Sequence, residues 1–163
     1  MTLYPEERIE LQRETVAEHV RAEEAKEWDA CYDTFVQSDE AHWDAVPIGT
    51  TFEGIDGVKG FYQAIHTALP DFKVAVTHEY HVPGTSILEA TLSGTHQGDY
   101  LGVEPKGNPV TFELAAFFEF GEGENAGKSL CERCYFDNET LLRQMRGEAD
   151  ASTAVLGLAQ RSR

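Results

Sequence analysis

The chain alternates through Ile87-Leu88-Glu89-Ala90-Thr91-Leu92 and then runs directly into Ser93-Gly94-Thr95-His96-Gln97-Gly98-Asp99-Tyr100-Leu101-Gly102. The alternation is that of a strand with one face buried. The glycines that follow let the backbone bend or approach another group closely. His96 and Asp99 are titratable side chains placed where the chain leaves the sheet, the kind of position that carries function. The plainer reading is a polar turn with a hydrogen-bonded histidine.

Strand patterns extend on both sides of this stretch. Residues 72–82 are rich in β-formers and stop at Pro83-Gly84. Residues 86–97 form the second strand, and a turn over 105–109 leads to a third over 110–120. That strand puts Val110, Phe112, Leu114, Ala116, Phe118 and Phe120 on one face. An acidic loop over 121–127 precedes a fourth strand over 129–136, and 137–145 reads as a closing helix. The earlier part of the chain is helical. Residues 5–35 predict one helix, with a thin apolar stripe between Val20 and Trp28 where a kink can sit. A short helix is expected over 38–43, a short strand over 47–52, a turn over 54–57 and a helix over 58–69. Leu69 ends that helix because it precedes Pro70. Helices first and strands after make an α+β fold. The expected organisation is a single domain over residues 1–147 with a tail over 148–163, in which 154–158 is apolar enough to dock. A curved sheet closed by helices makes a pocket suited to a small molecule.

Composition narrows the function. Among 163 residues, 29 are acidic and 13 basic, giving a net charge of -16. That charge argues against nucleic acid or an anionic membrane as partner, because both need clustered Lys and Arg. No run of about 20 apolar residues is present to span a bilayer. Residues 1–10 lack a basic-then-apolar secretory pattern, which predicts a cytoplasmic protein. The three cysteines, Cys31, Cys131 and Cys134, are an odd count and form no disulfide framework. Cys131 and Cys134 are three apart on a strand and point to opposite faces, and the histidines show no ligand spacing, so no metal is expected. No nucleophile-elbow, phosphate-loop or dinucleotide-binding motif occurs.

Strand parity sorts the candidates for chemistry. His96 shares a face with Leu88, Ala90 and Leu92. Glu113 shares one with Ala115 and Phe117, and a carboxylate in apolar surroundings becomes a usable acid or base. Arg133 lies with Cys131 and Tyr135, placed to pair with a carboxylate. Asp137 is either the cap of the last helix or a base at a strand end. Trp28 and Tyr32 on the first helix read as core, or as substrate contacts, with Tyr32 a possible donor to a substrate oxygen.

Several pieces together match a known family. They are Phe61-Tyr62, Leu69-Pro70-Asp71-Phe72, the Ser93 to Gly102 stretch, Pro105-Lys106-Gly107-Asn108-Pro109-Val110, Phe117-Phe118-Glu119-Phe120, and Glu132-Arg133-Cys134-Tyr135-Phe136-Asp137 with Thr140-Leu141-Leu142-Arg143-Gln144. In order and spacing the chain resembles the SnoaL-like polyketide cyclases, or ester cyclases, of the nuclear transport factor 2-like superfamily, over about residues 15 to 146. The resemblance implies a cone-shaped, curved antiparallel or mixed sheet wrapped on N-terminal helices. It implies an enzyme of cyclase, isomerase or lyase type acting on a carbonyl-bearing small molecule without metal or organic cofactor. It maps the general acid/base onto Asp137 and a supporting role onto His96, and it implies a homodimer through the open face of the sheet; Asp99 and Glu113 stand beside these as reserve carboxylates. Two other readings stand beside it: a non-catalytic binding or dimerisation module, and an epoxide or ester hydrolase with Arg133 between two carboxylates. Lys106 and Asn108 stand where the family often has threonine and arginine, and the first helix is longer and more acidic than usual.

Overall fold

The computed structural model describes residues 4–148, so the tail segment over 154–158 lies outside the described residues. The order of elements is α1 (Pro5–Ala25), α2 (Trp28–Tyr32), β1 (His42–Ala45), β2 (Thr50–Glu53), α3 (Gly54–Ala68), β3 (Lys73–Val82), β4 (Thr85–Thr95), β5 (Pro109–Phe120), β6 (Ser129–Phe136) and α4 (Asn138–Arg146). The six strands form one sheet in the order β2-β1-β6-β5-β4-β3. β1 runs parallel to β6 and every other pair is antiparallel. The expected α+β architecture is the one observed, with a mixed sheet curled over α1 and α3.

The single helix expected over 5–35 is two helices. Lys26 takes a left-handed conformation, φ 60°, where the apolar stripe thins. Its N–H closes back on Ala22 and Glu23, while its Nζ bonds the Phe72 carbonyl at 2.9 Å and sits over the Phe72 ring. The break lets α2 turn Trp28 and Tyr32 inward under α3. A second correction concerns 38–43. His42 to Ala45 is strand, because it gains ladder partners on both sides, β2 and β6. Sheet pairing overrides local helical preference here. The expected turn over 54–57 is the first turn of α3.

Two polar side chains on the buried face of α1 fix the helix against the sheet. Gln12 donates to the Val82 carbonyl at 3.0 Å and accepts from Gly84 N–H at 2.8 Å, holding the β3–β4 hairpin. His19, seven residues on, points into the interior.

The stretch after β4 is a clasp between the sheet and α3. The Gln97 and Gly98 N–H groups both donate to the Ala68 carbonyl at the end of α3, at 2.8 and 3.3 Å. Asp71 accepts from the backbone N–H and the hydroxyl of Thr95, both at 2.7 Å. Gly98 lies so close to α3 that a Cβ on it would stand 2.2 Å from the Thr67 carbonyl oxygen. Only glycine allows this approach. Gly98→Ala is therefore expected to cost roughly 1–3 kcal/mol in a urea unfolding titration, and an unchanged midpoint would show that the clasp yields.

Candidate functional site

Along β4, β5 and β6 the even-numbered side chains face the helices and the odd-numbered ones face outward. Between the concave face and α1 and α3 lies a cavity of about 240 Å³. Its walls are apolar. Leu88, Ala90 and Leu92 come from β4, and Phe112, Leu114, Ala116 and Phe118 from β5. Trp43 and Phe61 stack at 3.5 Å to close one side. Asp99, Tyr100 and Leu101 form part of the lining, and Asp99 and Leu101 are exposed, so the loop after β4 makes a rim.

Four polar side chains meet in this wall: His19 and Glu23 from α1, Tyr62 from α3 and Glu132 from β6. The Tyr62 hydroxyl donates to Glu132 Oε2 at 2.5 Å and lies 2.9 Å from His19 Nε2. The same His19 nitrogen is 3.5 Å from Glu132 Oε2 and 3.9 Å from Glu23 Oε2. The Cys134 thiol donates to Glu132 Oε1 at 3.6 Å. On the far side of the imidazole, Nδ1 is 2.9 Å from Thr34 Oγ1, whose own proton goes to the Cys31 carbonyl at 2.6 Å. Thr34 therefore accepts from Nδ1–H, and Nε2 presents its lone pair to the cluster. Tyr62 has one proton for two acceptors, so this is a cluster able to pass a proton along.

The electrostatics assign the protons. Burial drives the Glu23 carboxyl up, and the negative charge of Glu132 adds to it, so its pKa is raised to about 8. Burial pushes His19 down and keeps it neutral, against the pull of Glu132. The Tyr62 phenol is held well above its ordinary range, first by burial. Two carboxylates sharing one site cannot both ionise cheaply, and here Glu23 is the one held protonated.

The residues expected from sequence fall elsewhere, with one exception. Asp137 is exposed at the N-terminus of α4. Its Oδ1 accepts from Thr140 N–H at 3.0 Å and its Oδ2 from the Thr140 hydroxyl at 2.6 Å, and those bonds hold its carboxyl below the usual range. It is the helix cap and does not line the cavity. His96 is fully buried, as its parity requires, yet it sits outside the cavity lining, and neither ring nitrogen has a hydrogen-bond partner among the described residues. Glu113 is exposed on the outer face. Arg133 is also outside, paired with Asp44 and Glu119. Arg133 thus lies between two carboxylates on the outer face, away from the cavity. Trp28 and Tyr32 pack on one another and on Tyr62, in the core beneath the cavity. Asp99 alone reaches the cavity, at its rim, where it accepts from Gly102 N–H at 3.3 Å. Cys131 and Cys134 do point to opposite faces.

The four cluster residues were not singled out from sequence, though two signals were present. His19 continues a buried stripe of Gln12, Val16 and Ala22 on an otherwise charged helix. Glu132 alternates with the outward Cys131 and Arg133, which puts it inside with Cys134.

Sequence and fold both point to a known family. A family model of the SnoaL-like polyketide cyclases fits residues 13–145. The chain belongs to the SnoaL-like polyketide cyclase family. Solved structures agree on the fold. AclR from Streptomyces galilaeus, described as a candidate hydroxylase, superposes with a TM-score of 0.73 at 21% identity, covering 91% of this chain and 89% of that one. A SnoaL-like candidate cyclase from Jannaschia sp. CCS1 gives 0.71 at 18% identity, over 83% and 91%. IdmH from Streptomyces antibioticus, a candidate polyketide cyclase, gives 0.67 at 18% identity, over 83% and 98%. No curated protein matches the chain. No described helix of this family member is long and apolar enough to cross a membrane.

The raised Glu23 pKa has a stability consequence. The unfolded chain loses this proton near 4.5 and the folded one near 8, so folding stability falls as pH rises between those values. Glu23→Gln removes the penalty. Relative to wild type it should be more stable at pH 9 by roughly 1–4 kcal/mol, with a much smaller gain at pH 5. Urea titrations at both pH values check this, and an equal effect at the two would refute the assignment.

Proposed function

We propose that this SnoaL-like protein is a cofactor-independent acid/base enzyme acting on a neutral, largely apolar small molecule that carries a carbonyl group. The carrying observation is the convergence of Glu23, Glu132, His19 and Tyr62 in an otherwise apolar cavity. A binding module would have no need to bury two carboxylates there, at several kcal/mol of desolvation. Among the described residues no Lys or Arg lines the cavity, which disfavours an anionic substrate.

In this reading the Glu132 carboxylate takes a proton from the carbon beside the carbonyl. The C–H pair becomes the enolate double bond, the carbonyl π pair moves to oxygen, and that oxygen accepts a hydrogen bond from neutral Glu23. Attack of the enolate carbon on a second carbonyl of the same molecule closes a ring, and that oxygen takes up the proton. Glu132 passes its acquired proton through Tyr62 and His19 to the Glu23 carboxylate, which restores the starting state. Isomerase and lyase outcomes use the same first step.

Deuterium uptake at the benzylic carbon beside the carbonyl of 2-tetralone, followed by NMR in D₂O, tests the base. Wild type should exceed buffer, and Glu132→Gln should lose about 100-fold or more, with Asp137→Asn within about twofold of wild type because asparagine still caps. Loss in Asp137→Asn with Glu132→Gln unaffected would return the role to the helix cap.

A homodimer through the outer sheet face is part of the same proposal. Phe117 and Tyr135 meet edge to face there at 5.6 Å, with Tyr135 44% exposed. Sedimentation velocity should give the dimer mass for wild type and a shift toward monomer for Tyr135→Glu. A wild-type monomer at tens of micromolar would overturn it.

A further inference from the structure

The outer face of the sheet carries a second cluster with its own chemistry. His42 and Asp44 are two apart on β1 and point away from the cavity, whose wall takes Trp43 and Ala45. The parallel pairing of β1 with β6 sets His42 opposite Cys131 and Asp44 opposite Arg133. An imidazole, a carboxylate and a thiol are thus brought side by side, with ligand atoms all within 4.8 Å of one another.

The two separations from Asp44 are near those of a tetrahedral ion. Asp44 Oδ2 is 3.6 Å from Cys131 Sγ and 3.9 Å from His42 Nε2. Zinc at its usual bond lengths to sulfur, nitrogen and oxygen sets S···O at about 3.6 Å and N···O at about 3.4 Å. The first already fits. The second closes by a small turn of the His42 side chain, which is 36% exposed and free to make it.

The surroundings orient these ligands. His42 Nδ1 lies 3.2 Å from the Glu40 carbonyl and donates its N–H there, so Nε2 carries the lone pair and faces Asp44. Asp44 Oδ1 accepts from Thr51 Oγ1 at 2.8 Å, leaving Oδ2 for the cluster. A carbonyl behind the imidazole and a hydroxyl behind the carboxylate are the supporting contacts found around bound metals. Without a cation, Asp44 Oδ2 accepts from the Cys131 thiol at 3.6 Å, and a bound metal takes the place of that proton. The nearby Arg133, whose Nε is 3.6 Å from Oδ2, is itself paired with Glu119. With a divalent ion bound and the thiol ionised, two positive charges on the metal and one on Arg133 meet three negative ones on Asp44, Glu119 and Cys131. The local charge closes to zero.

We propose that His42, Asp44 and Cys131 bind a zinc ion on the outer face of the sheet, with a fourth position open to water past the exposed edge of His42. As the Zn–S bond forms, the thiol proton leaves to solvent. The site is separate from the cavity, which takes Cys134 from the same strand, and it does not rest on the reaction assigned there.

Cobalt(II), a spectroscopic stand-in for zinc, tests the site on the full chain after chelator treatment. One equivalent should produce a thiolate-to-cobalt charge-transfer band with tetrahedral visible bands, and added zinc should bleach both. Cys131→Ser should abolish the charge-transfer band, and His42→Ala should weaken cobalt binding at least tenfold, as expected for loss of a ligand. Cys134→Ser should change neither. No thiolate band in wild type, a band that survives Cys131→Ser, or unchanged affinity in His42→Ala would each overturn the proposal. His42 lies at the surface, so its variant folds even if the buried Cys131→Ser does not.

Discussion

A buried carboxylate on the concave face of the sheet is the constraint around which this protein is arranged. Glu132 is 7% exposed, and an isolated charge in such a place would cost several kcal/mol. The structure meets that cost with donors from different elements: the Tyr62 hydroxyl from α3 and the Cys134 thiol from β6, with the His19 imidazole from α1 alongside. Each of those groups has to be held in place in turn. Thr34 fixes the imidazole, and Gln12 pins the same helix to the β3–β4 hairpin. The register of helices on sheet thereby follows the needs of one side chain.

The two-residue period of a strand then divides the chemistry. β6 reads Cys131-Glu132-Arg133-Cys134, outside, inside, outside, inside. Glu132 and Cys134 join the cavity, and Cys131 and Arg133 join His42 and Asp44 on the outer face. One strand serves two clusters of unlike character, one lining the cavity, the other on the outer face of the sheet. A one-residue slip in its pairing with β5 would exchange the two sets and bury Arg133 in the cavity.

Much of the fold was legible in the residues. The strands over 72–136 follow from alternation and from Pro-Gly and Pro-Lys-Gly-Asn-Pro turns, and the end of α3 follows from Pro70. The break at Lys26 and the strand at His42 to Ala45 were not, because each depends on a distant partner: the Phe72 ring and carbonyl for one, β2 and β6 for the other. The site shows the same division. Parity placed His96 in the interior and Arg133 on the Cys131 face. It did not show that the cavity stops short of His96, nor that Thr140 consumes both oxygens of Asp137.

The sequence by itself determined the α+β class, the run of antiparallel strands, the acidic net charge and the family. Those depend on local periodicity, on composition and on motif order, which are properties of the chain read in line. Only the tertiary structure decided which titratable groups meet. His19, Tyr62 and Glu132 are separated by 43 and 70 residues, and His42 meets Cys131 only because β1 docks parallel beside β6. Proton transfer and metal ligation depend on distances of 2.5 to 4 Å between such groups, and spacing along the chain does not carry that information.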